Sequence, residues 1–461
     1  MNVNQIKQRL YDRYIAPTTQ CNDKFIGIEV EMPIVRLSDG PTDYAVAQAA
    51  AAALADEFGF EPDKFDDNGV FFSATRPDNG DNVSFDCSYN NLELSLGKER
   101  TLTAIDERFR SYVGFLNKCL CADDHLLTGM GINPRHTVNR RDFIPSERYR
   151  MLERYLRRAQ SSAAPMHFHP YVDYGSFASA SQVQLDVPRD ALVKTLRAFG
   201  NVEPVKAVLF NNALLESEPE LLNVRDMLWE NSTHGINPHN VGMFDCPLDN
   251  VDDLLEYIST ASIFCTERDG RYVNFEPVPI IDYLALDSVE GEFYRDGAYH
   301  PITVHPRKED LSYLRTYKFE DLTYRGTIEF RSCCCQPLEE TMTVAAFHTG
   351  LMAKVDELDQ LMRADTVLFH HGYSATELRR IMNRRDWPRF IDRDALRALC
   401  LQVLELASEG LQTMGLGEEC YLDPLFTRAE TLSSPARTMK EALEAGTLLQ
   451  DLIERYSLQQ V

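Results

Sequence analysis

The sequence predicts an α+β fold: a mainly antiparallel sheet flanked by helices, followed by a helical C-terminal segment. Three observations predict it. Strand-like and helix-like stretches mix through the first 335 residues, and after Leu338 everything reads as helix. The strands alternate polar and apolar residues, which favours antiparallel strands with one covered face over buried parallel ones. No internal repeat or Gly/Ser-rich linker divides the chain. The expected organisation is therefore a unit spanning residues 1–340 with a helical segment, 341–461, packed on it.

In order, residues 1–20 read as a short amphipathic helix ending at Ala16–Pro17, and 24–37 (KFIGIEVEMPIVRL) as a strand. Residues 43–59 form an Ala-rich helix stopped by Gly59. The turn-rich 66–80 region predicts a hairpin, and 82–96 returns as one strand. A helix over 101–124 leads into LLTGMGINP, a strand and turn, and RYRMLERYLRRAQ at 148–160 is helical. ASASQVQLDV is a strand. A helix from Asp190 to about Gly200 follows, then a second, apolar helix over 203–216. Residues 217–330 read as loops and short helices, with GTIEFRS as the last clear strand; Ser433–Pro435 breaks the C-terminal helices.

Length and composition bound the function. The 461 residues carry a formal net charge of −24, which argues against bulk nucleic-acid binding. No apolar run is long enough for a membrane span, and the N-terminus lacks a signal-peptide core, so the expectation is a cytoplasmic protein without nucleic-acid or membrane partners. The 11 cysteines have no metal-finger spacing and are expected to be reduced. Cys333, Cys334 and Cys335 are expected as small, semi-buried residues at a strand end rather than redox groups. P-loop, Rossmann and nucleophile-elbow motifs are all missing. HFH at 167–169 and His370–His371 have no accompanying third ligand in sequence, which argues against a histidine metal site.

The chemistry lies in the alternating strands. Side chains two apart on a strand share a face. Glu29 and Glu31 of GIEVE therefore point one way, as do Gln182, Gln184 and Asp186 of ASASQVQLD, and Glu329 and Arg331 of GTIEFR. SFDCSYNNLELSL adds Asp86 and Glu93. Ile28, Val30, Val183, Leu185, Ile328 and Phe330 face the opposite way, into a core. Taken singly, such a strand is half solvated and its carboxylates face water. Taken together, the carboxylates suit hard divalent cations, and an arginine beside them suits phosphate.

These motifs and their order resemble the glutamate–cysteine ligase family of the glutamine synthetase-like superfamily. GIEVE is similar to its opening G-x-E-x-E strand, and VSFDCSYNNLELSLG to its "ELS" segment. Pro134, Pro145, Arg148, Tyr149, Met151 and Tyr155 are similar to its "G-x-x-P … P … RY-x-x-M-x-x-Y" stretch. ASASQVQLD, PVKAVLFNNALLES, NVRDMLWEN and GTIEFRS match later family elements in order. The resemblance implies a sheet-lined funnel binding ATP and L-glutamate at its two ends, with Mg²⁺ or Mn²⁺ between. It implies Glu29, Glu31, Asp86, Glu93 and Glu329 as metal ligands, with Gln182 and Gln184 near the metals and nucleotide. Arg331 and Arg225 would contact the transferring phosphate or substrate carboxylate. A basic residue often follows the R-x-x-x-W element in relatives. This chain has THGINPHN there, so His234 or His239 is expected to stand in. The implied reaction forms an acyl phosphate on glutamate that the amine of L-cysteine attacks. A different amine acceptor, or a non-catalytic binding protein, remain the alternatives.

Overall fold

A computed structural model describes residues 1–18, 25–162, 164 and 166–458. Residues 19–20 after the predicted helix end, the strand start at Lys24, Cys21 and the last three residues lie outside the described residues. The strands are β1 (Ile26–Arg36), β2 (Glu61–Phe65), β3 (Phe71–Thr75), β4 (Asn82–Phe85), β5 (Asn91–Glu99), β6 (His125–Leu127), β7 (Ser181–Asp186), β8 (Val241–Gly242), β9 (Ser262–Arg268), β10 (Arg271–Pro279), β11 (Val289–Arg295), β12 (Ala298–Val304), β13 (Tyr317–Lys318), β14 (Glu320–Leu322) and β15 (Thr327–Phe330). The first helices are α1 (Val3–Leu10), α2 (Tyr44–Phe58), α3 (Leu102–Cys121), α4 (Glu147–Leu156), α5 (Leu192–Phe210), α6 (Val224–Glu230), α7 (Val251–Thr260) and α8 (Ile280–Tyr283). The C-terminal helices are α9 (Met342–Ala353), α10 (Val355–Ala364), α11 (Ala375–Met382), α12 (Arg393–Gln412), α13 (Asp423–Thr431), α14 (Pro435–Glu444) and α15 (Leu449–Arg455).

A nine-stranded sheet runs in the order β14-β15-β7-β1-β5-β4-β3-β2, with β6 also paired to β1. Its pairings are antiparallel, as the alternation predicts. One face carries Ile28, Val30, Leu92, Leu94, Val183, Leu185, Ile328 and Phe330, all buried. Helices α3 and α9 pack on these strands, and one continuous core runs from Ile6 to Leu458 and includes α9 to α13, while α14 and α15 join a smaller cluster with Val35, Leu126 and Met130. The opposite face is polar and forms the floor of the cavity described below.

Four expectations are corrected. The single strand over 82–96 is two strands joined by a tight loop. Asp86 sits in that loop rather than on a strand, and Cys87 takes a left-handed φ of 58°. Ser, Asn and Asp at 86–91 bond to nearby backbone and favour a turn over continued pairing. The two helices expected over 190–200 and 203–216 are one helix, α5, with Pro204 inside it. The carbonyl Pro204 crowds belongs to Gly200, and nearly every side chain from 192 to 210 is buried, so packing overrides the break. Helix ends at Phe210, and 211–216 is not helical.

The 217–330 region holds a four-stranded antiparallel sheet, β12-β11-β10-β9, which was not expected. Strands β11 and β12 are largely part-exposed and lack a clean alternation. The readable signal was in the turns: Asp269–Gly270 and Asp296–Gly297 both have positive φ, the pattern of a tight hairpin. Finally, Cys333, Cys334 and Cys335 are fully buried in the core rather than semi-buried.

Candidate active site

The polar face of the large sheet lines a cavity of about 830 Å³. The register builds its floor in rows. Glu31 lies directly opposite Glu93, Glu29 opposite Gln182 and Ser95, and Glu329 opposite Gln184 and Asp321. Like charges placed directly across a strand pair repel, so the Glu31–Glu93 pairing is unfavourable without a cation. Asp86, brought in by the β4–β5 loop, completes a trio with them. One carboxylate oxygen from each of Glu31, Asp86 and Glu93 lies within 4.8 Å of the others.

Amides and a hydroxyl hold most of the carboxylates, and Arg331 holds Glu329. Gln182 Nε2 donates to Glu31 Oε1 at 2.9 Å, and the Ala180 amide donates to Glu31 Oε2 at 2.7 Å. Gln184 Nε2 bridges Glu29 Oε1 and Glu329 Oε1, at 3.0 and 2.7 Å. Ser95 Oγ donates to Glu93 Oε1 at 2.8 Å. Gln182 Oε1 is buried with no partner. Burial, reinforced by the neighbouring Asp86 and Glu93, lifts Glu31 to about 8. Burial and Asp86 lift Glu93 to about 7. Burial and then Glu329 raise Glu29 well above the ordinary carboxylate range, and burial raises Asp86. A cluster of hard oxygen donors that resists ionisation in its own company fits a divalent cation.

Of the basic residues of the same cavity, one is paired with these acids. Arg331 pairs with Glu329. Arg13, Lys64, Arg148, Arg225, Arg315 and Arg325 also line the cavity, and among the described residues none of them makes an ion pair. Arg225 is only 6% exposed, and its Nε is buried without a hydrogen-bond partner. A buried guanidinium without a counter-ion is costly, and an anionic ligand offsets that cost.

The nine residues named in advance therefore share one cavity or its immediate wall. Glu29, Glu31, Asp86, Glu93, Glu329, Gln182, Arg225 and Arg331 line it, and Gln184 ties Glu29 to Glu329. Neither expected histidine serves as the basic residue. Burial holds His234 down to about 3, so it is neutral, although it lines the cavity. His239 lies outside the cavity lining, with Nδ1 against Thr260 Oγ1 at 2.5 Å. His169 is spent on structure: Nε2 donates to the Leu228 carbonyl at 2.8 Å, and Nδ1 accepts from the Tyr171 amide at 3.1 Å.

The sequence reading missed Arg13, Arg148, Arg315, Arg325 and Asp321. Arg148 stood in a quoted motif without a role. Asp321 lies directly across from Glu329 and is raised to about 6 by burial. Arg13 lies in the predicted N-terminal helix, and Arg315 and Arg325 in segments with no periodic signal.

A family model described as glutamate-cysteine ligase family 2 matches residues 25–455. The chloroplastic glutamate–cysteine ligase of Brassica juncea is 23% identical over 328 residues, covering 68% of this chain and 57% of its own. That of Medicago truncatula is 22% identical over 328 residues, covering 68% and 58%. The chain thus spans little more than half the length of these curated relatives. A bifunctional glutathione synthetase from Pasteurella multocida superposes with a TM-score of 0.51 at 11% identity, over 99% of this chain and 54% of that one. A glutamate–cysteine ligase from Francisella tularensis, solved in complex with AMP, does so with a TM-score of 0.51 at 12% identity, over 94% and 88%. The two structures share the fold of this chain.

Proposed function

The chain belongs to the glutamate-cysteine ligase family 2, and from that premise we propose that it is an ATP-dependent ligase. It joins the γ-carboxylate of L-glutamate to the amine of L-cysteine through γ-glutamyl phosphate, releasing ADP and phosphate. The observation that supports this reading is the separation of charge in one cavity: clustered carboxylates on the floor, unpaired guanidiniums around them. Such a cavity suits a metal-bound nucleotide together with an anionic amino acid.

In this reading Glu29, Glu31, Asp86, Glu93 and Glu329 hold Mg²⁺ or Mn²⁺, with Gln182 and Gln184 orienting the carboxylates beside the nucleotide. The bound metal supplies charge neutralisation to the phosphates. Arg331 offsets the repulsion between the glutamate carboxylate and the γ-phosphate as the new P–O bond forms and the bond to ADP breaks. Arg225 holds the substrate carboxylate. The cysteine nitrogen then attacks the acyl carbon, the C–O bond to phosphate breaks, and the ammonium proton passes to the departing phosphate or solvent. Holding the reactants together converts these encounters into steps within one complex. We assign these roles to residues 1–340, with 341–461 as the supporting helical segment. The proposed setting is the cytoplasm. No described helix is long and apolar enough to cross a membrane.

The test is phosphate release from ATP with Mg²⁺, glutamate and a panel of amines, using Glu29→Ala as control. Turnover that needs cysteine and is lost in the variant is the expected result. Turnover with another amine alone replaces the acceptor and keeps the mechanism. Silence with every amine, together with no binding of metal or ATP, overturns the enzyme reading.

A further inference from the structure

Arg13 precedes the residues matched by the family model, yet it lines the cavity. The segment carrying it is firmly placed. Ile6, Leu10 and Ile15 are fully buried. After α1 the chain makes a π turn over Tyr11–Ile15, closed by the Ala16 amide donating to the Tyr11 carbonyl at 2.8 Å. A π turn is uncommon and shifts the helical register, often at functional sites. Arg189 Nη2 donates to the Ala16 carbonyl at 3.0 Å. Pro17 then lies hard against the β14–β15 turn: a Cβ on Gly326 would stand 2.2 Å from the Pro17 carbonyl oxygen.

That turn presents Tyr324 and Arg325. The guanidinium carbon of Arg13 is 5.1 Å from the Tyr324 ring centroid, and that of Arg325 is 5.3 Å from the same centroid. One ring thus gathers two cations from distant parts of the chain. Among the described residues neither has a carboxylate partner, and Arg13 Nε is buried with no hydrogen-bond partner. Arg325 Nη2 donates to Gln184 Oε1 at 2.7 Å, and Gln184 bridges Glu29 and Glu329. The pair of cations therefore stands one side chain away from candidate metal ligands. The two ends of the cavity also differ in access. Tyr324 is 55% exposed, whereas Arg225 is 6% and His234 1% exposed. The bulky ligand suits the open end and the small amino acids the closed one.

We propose that Arg13 and Arg325 form a binding site for the phosphate chain of the nucleotide at the open end of the cavity. The proposal rests on the ligase reading given above. Two converging guanidiniums without a counter-ion match a polyanion, and the nearby acidic pair matches the cation that accompanies it.

The experiment is calorimetric binding of ATP and of AMP, with Mg²⁺, to the full chain and to R13Q, R13K, R325Q and G326A. Glutamate KM is measured alongside. R13Q and R325Q are expected to weaken ATP binding by roughly tenfold to a hundredfold, the value of a lost charged hydrogen bond. AMP is expected to lose much less, and glutamate KM to stay unchanged. R13K is expected to fall between R13Q and the parent. G326A should reproduce the ATP-selective loss by pushing Pro17, and with it Arg13, away from the turn. Parent-like ATP binding in R13Q overturns the proposal and leaves the ligase reading standing. So does an equal loss for ATP and AMP, or a loss confined to glutamate. Failure of the unmodified chain to bind ATP overturns both.

Discussion

Glu31 and Glu93 are the residues at which metal, proton and like charge compete for the same oxygens. Burial and neighbouring carboxylates lift them to about 8 and about 7. A carboxyl must lose its proton to bind a metal, so Mn²⁺ affinity should rise steeply between pH 6 and about 8.5 with protons released on binding. Calorimetry in two buffers of different ionisation enthalpy measures that release, and a value of zero would sink the assignment. Glu31→Gln should remove most of the affinity and flatten its pH dependence. Arg225 makes the complementary case. Arg225→Gln should raise glutamate KM on the order of tenfold or more while leaving ATP binding near the parent value. Steady-state kinetics at saturating ATP decide this, and an unchanged glutamate KM would remove Arg225 from the substrate site. All of these residues, Asp86 included, were readable as sharing a strand face or a motif, although Asp86 was expected on a strand. Asp86 joined them through a loop whose course depends on how β4 and β5 close.

Between elements, a buried charge network ties the C-terminal helices to the site. Arg379 on α11 donates to Asp226 Oδ2 at 2.7 Å and to Glu203 Oε2 at 2.5 Å. Glu203 also holds Lys206 on α5, and Asp226 adjoins Arg225 on α6. Arg379→Met leaves Asp226 buried without its cation and Glu203 with Lys206 alone, and should cost about 3–5 kcal/mol, measured by urea unfolding. Glu320 behaves oppositely. Burial, then Glu203, raise it well above the carboxylate range, so it is the neutral member of this cluster. Glu320→Gln is isosteric and should stay within about 1 kcal/mol of the parent by the same assay. Helices α9 and α12 meet through glycines: a Cβ on Gly410 would stand 2.0 Å from the Gly350 carbonyl oxygen. Gly410→Ala should therefore lower the melting temperature by overpacking worth about 1–3 kcal/mol or more. None of these contacts was legible in the sequence, because the partners of Arg379 lie 153 and 176 residues away.

For the whole molecule, the shifts combine into a pH profile. His136, His169, His234 and His348 are lowered by burial, so the unfolded chain takes up their protons first. Their contribution is complete above about 6.5 and is lost as pH falls below it. Glu29, Glu31 and Glu93 are raised, so the folded chain binds their protons first. That penalty is relieved as pH falls from above 8, and the net charge of −24 acts in the same direction. The metal-free chain should therefore gain stability from pH 8.5 to about 6.5 and lose it in acid below about 4.5, where the histidine effect still grows and the depressed carboxyls Glu203, Asp310 and Asp359 lose their contribution as well. Urea unfolding with EDTA and with Mg²⁺ tests this. Metal should abolish the gain on the alkaline side, and an identical profile in both conditions would contradict it.

The sequence by itself determined which side chains share a face, because strand alternation is built into backbone geometry. It therefore carried the antiparallel sheet, its apolar core face and the row of acids, and family motifs supplied their order. Helix limits and hairpins followed wherever local chemistry was strong, as at Gly59, and were lost where packing ruled, as at Pro204. Only the tertiary structure decided which charges have partners. Arg13, Arg148, Arg315 and Arg325 are ordinary residues in the sequence; they become a site because distant segments bring them into one cavity, where among the described residues none makes an ion pair. His234 shows the same rule in reverse: it is polar and basic by type, but burial among aromatic rings makes it neutral. Charge state and pairing depend on burial and on contacts across long chain separations, and these exist only once the chain is folded.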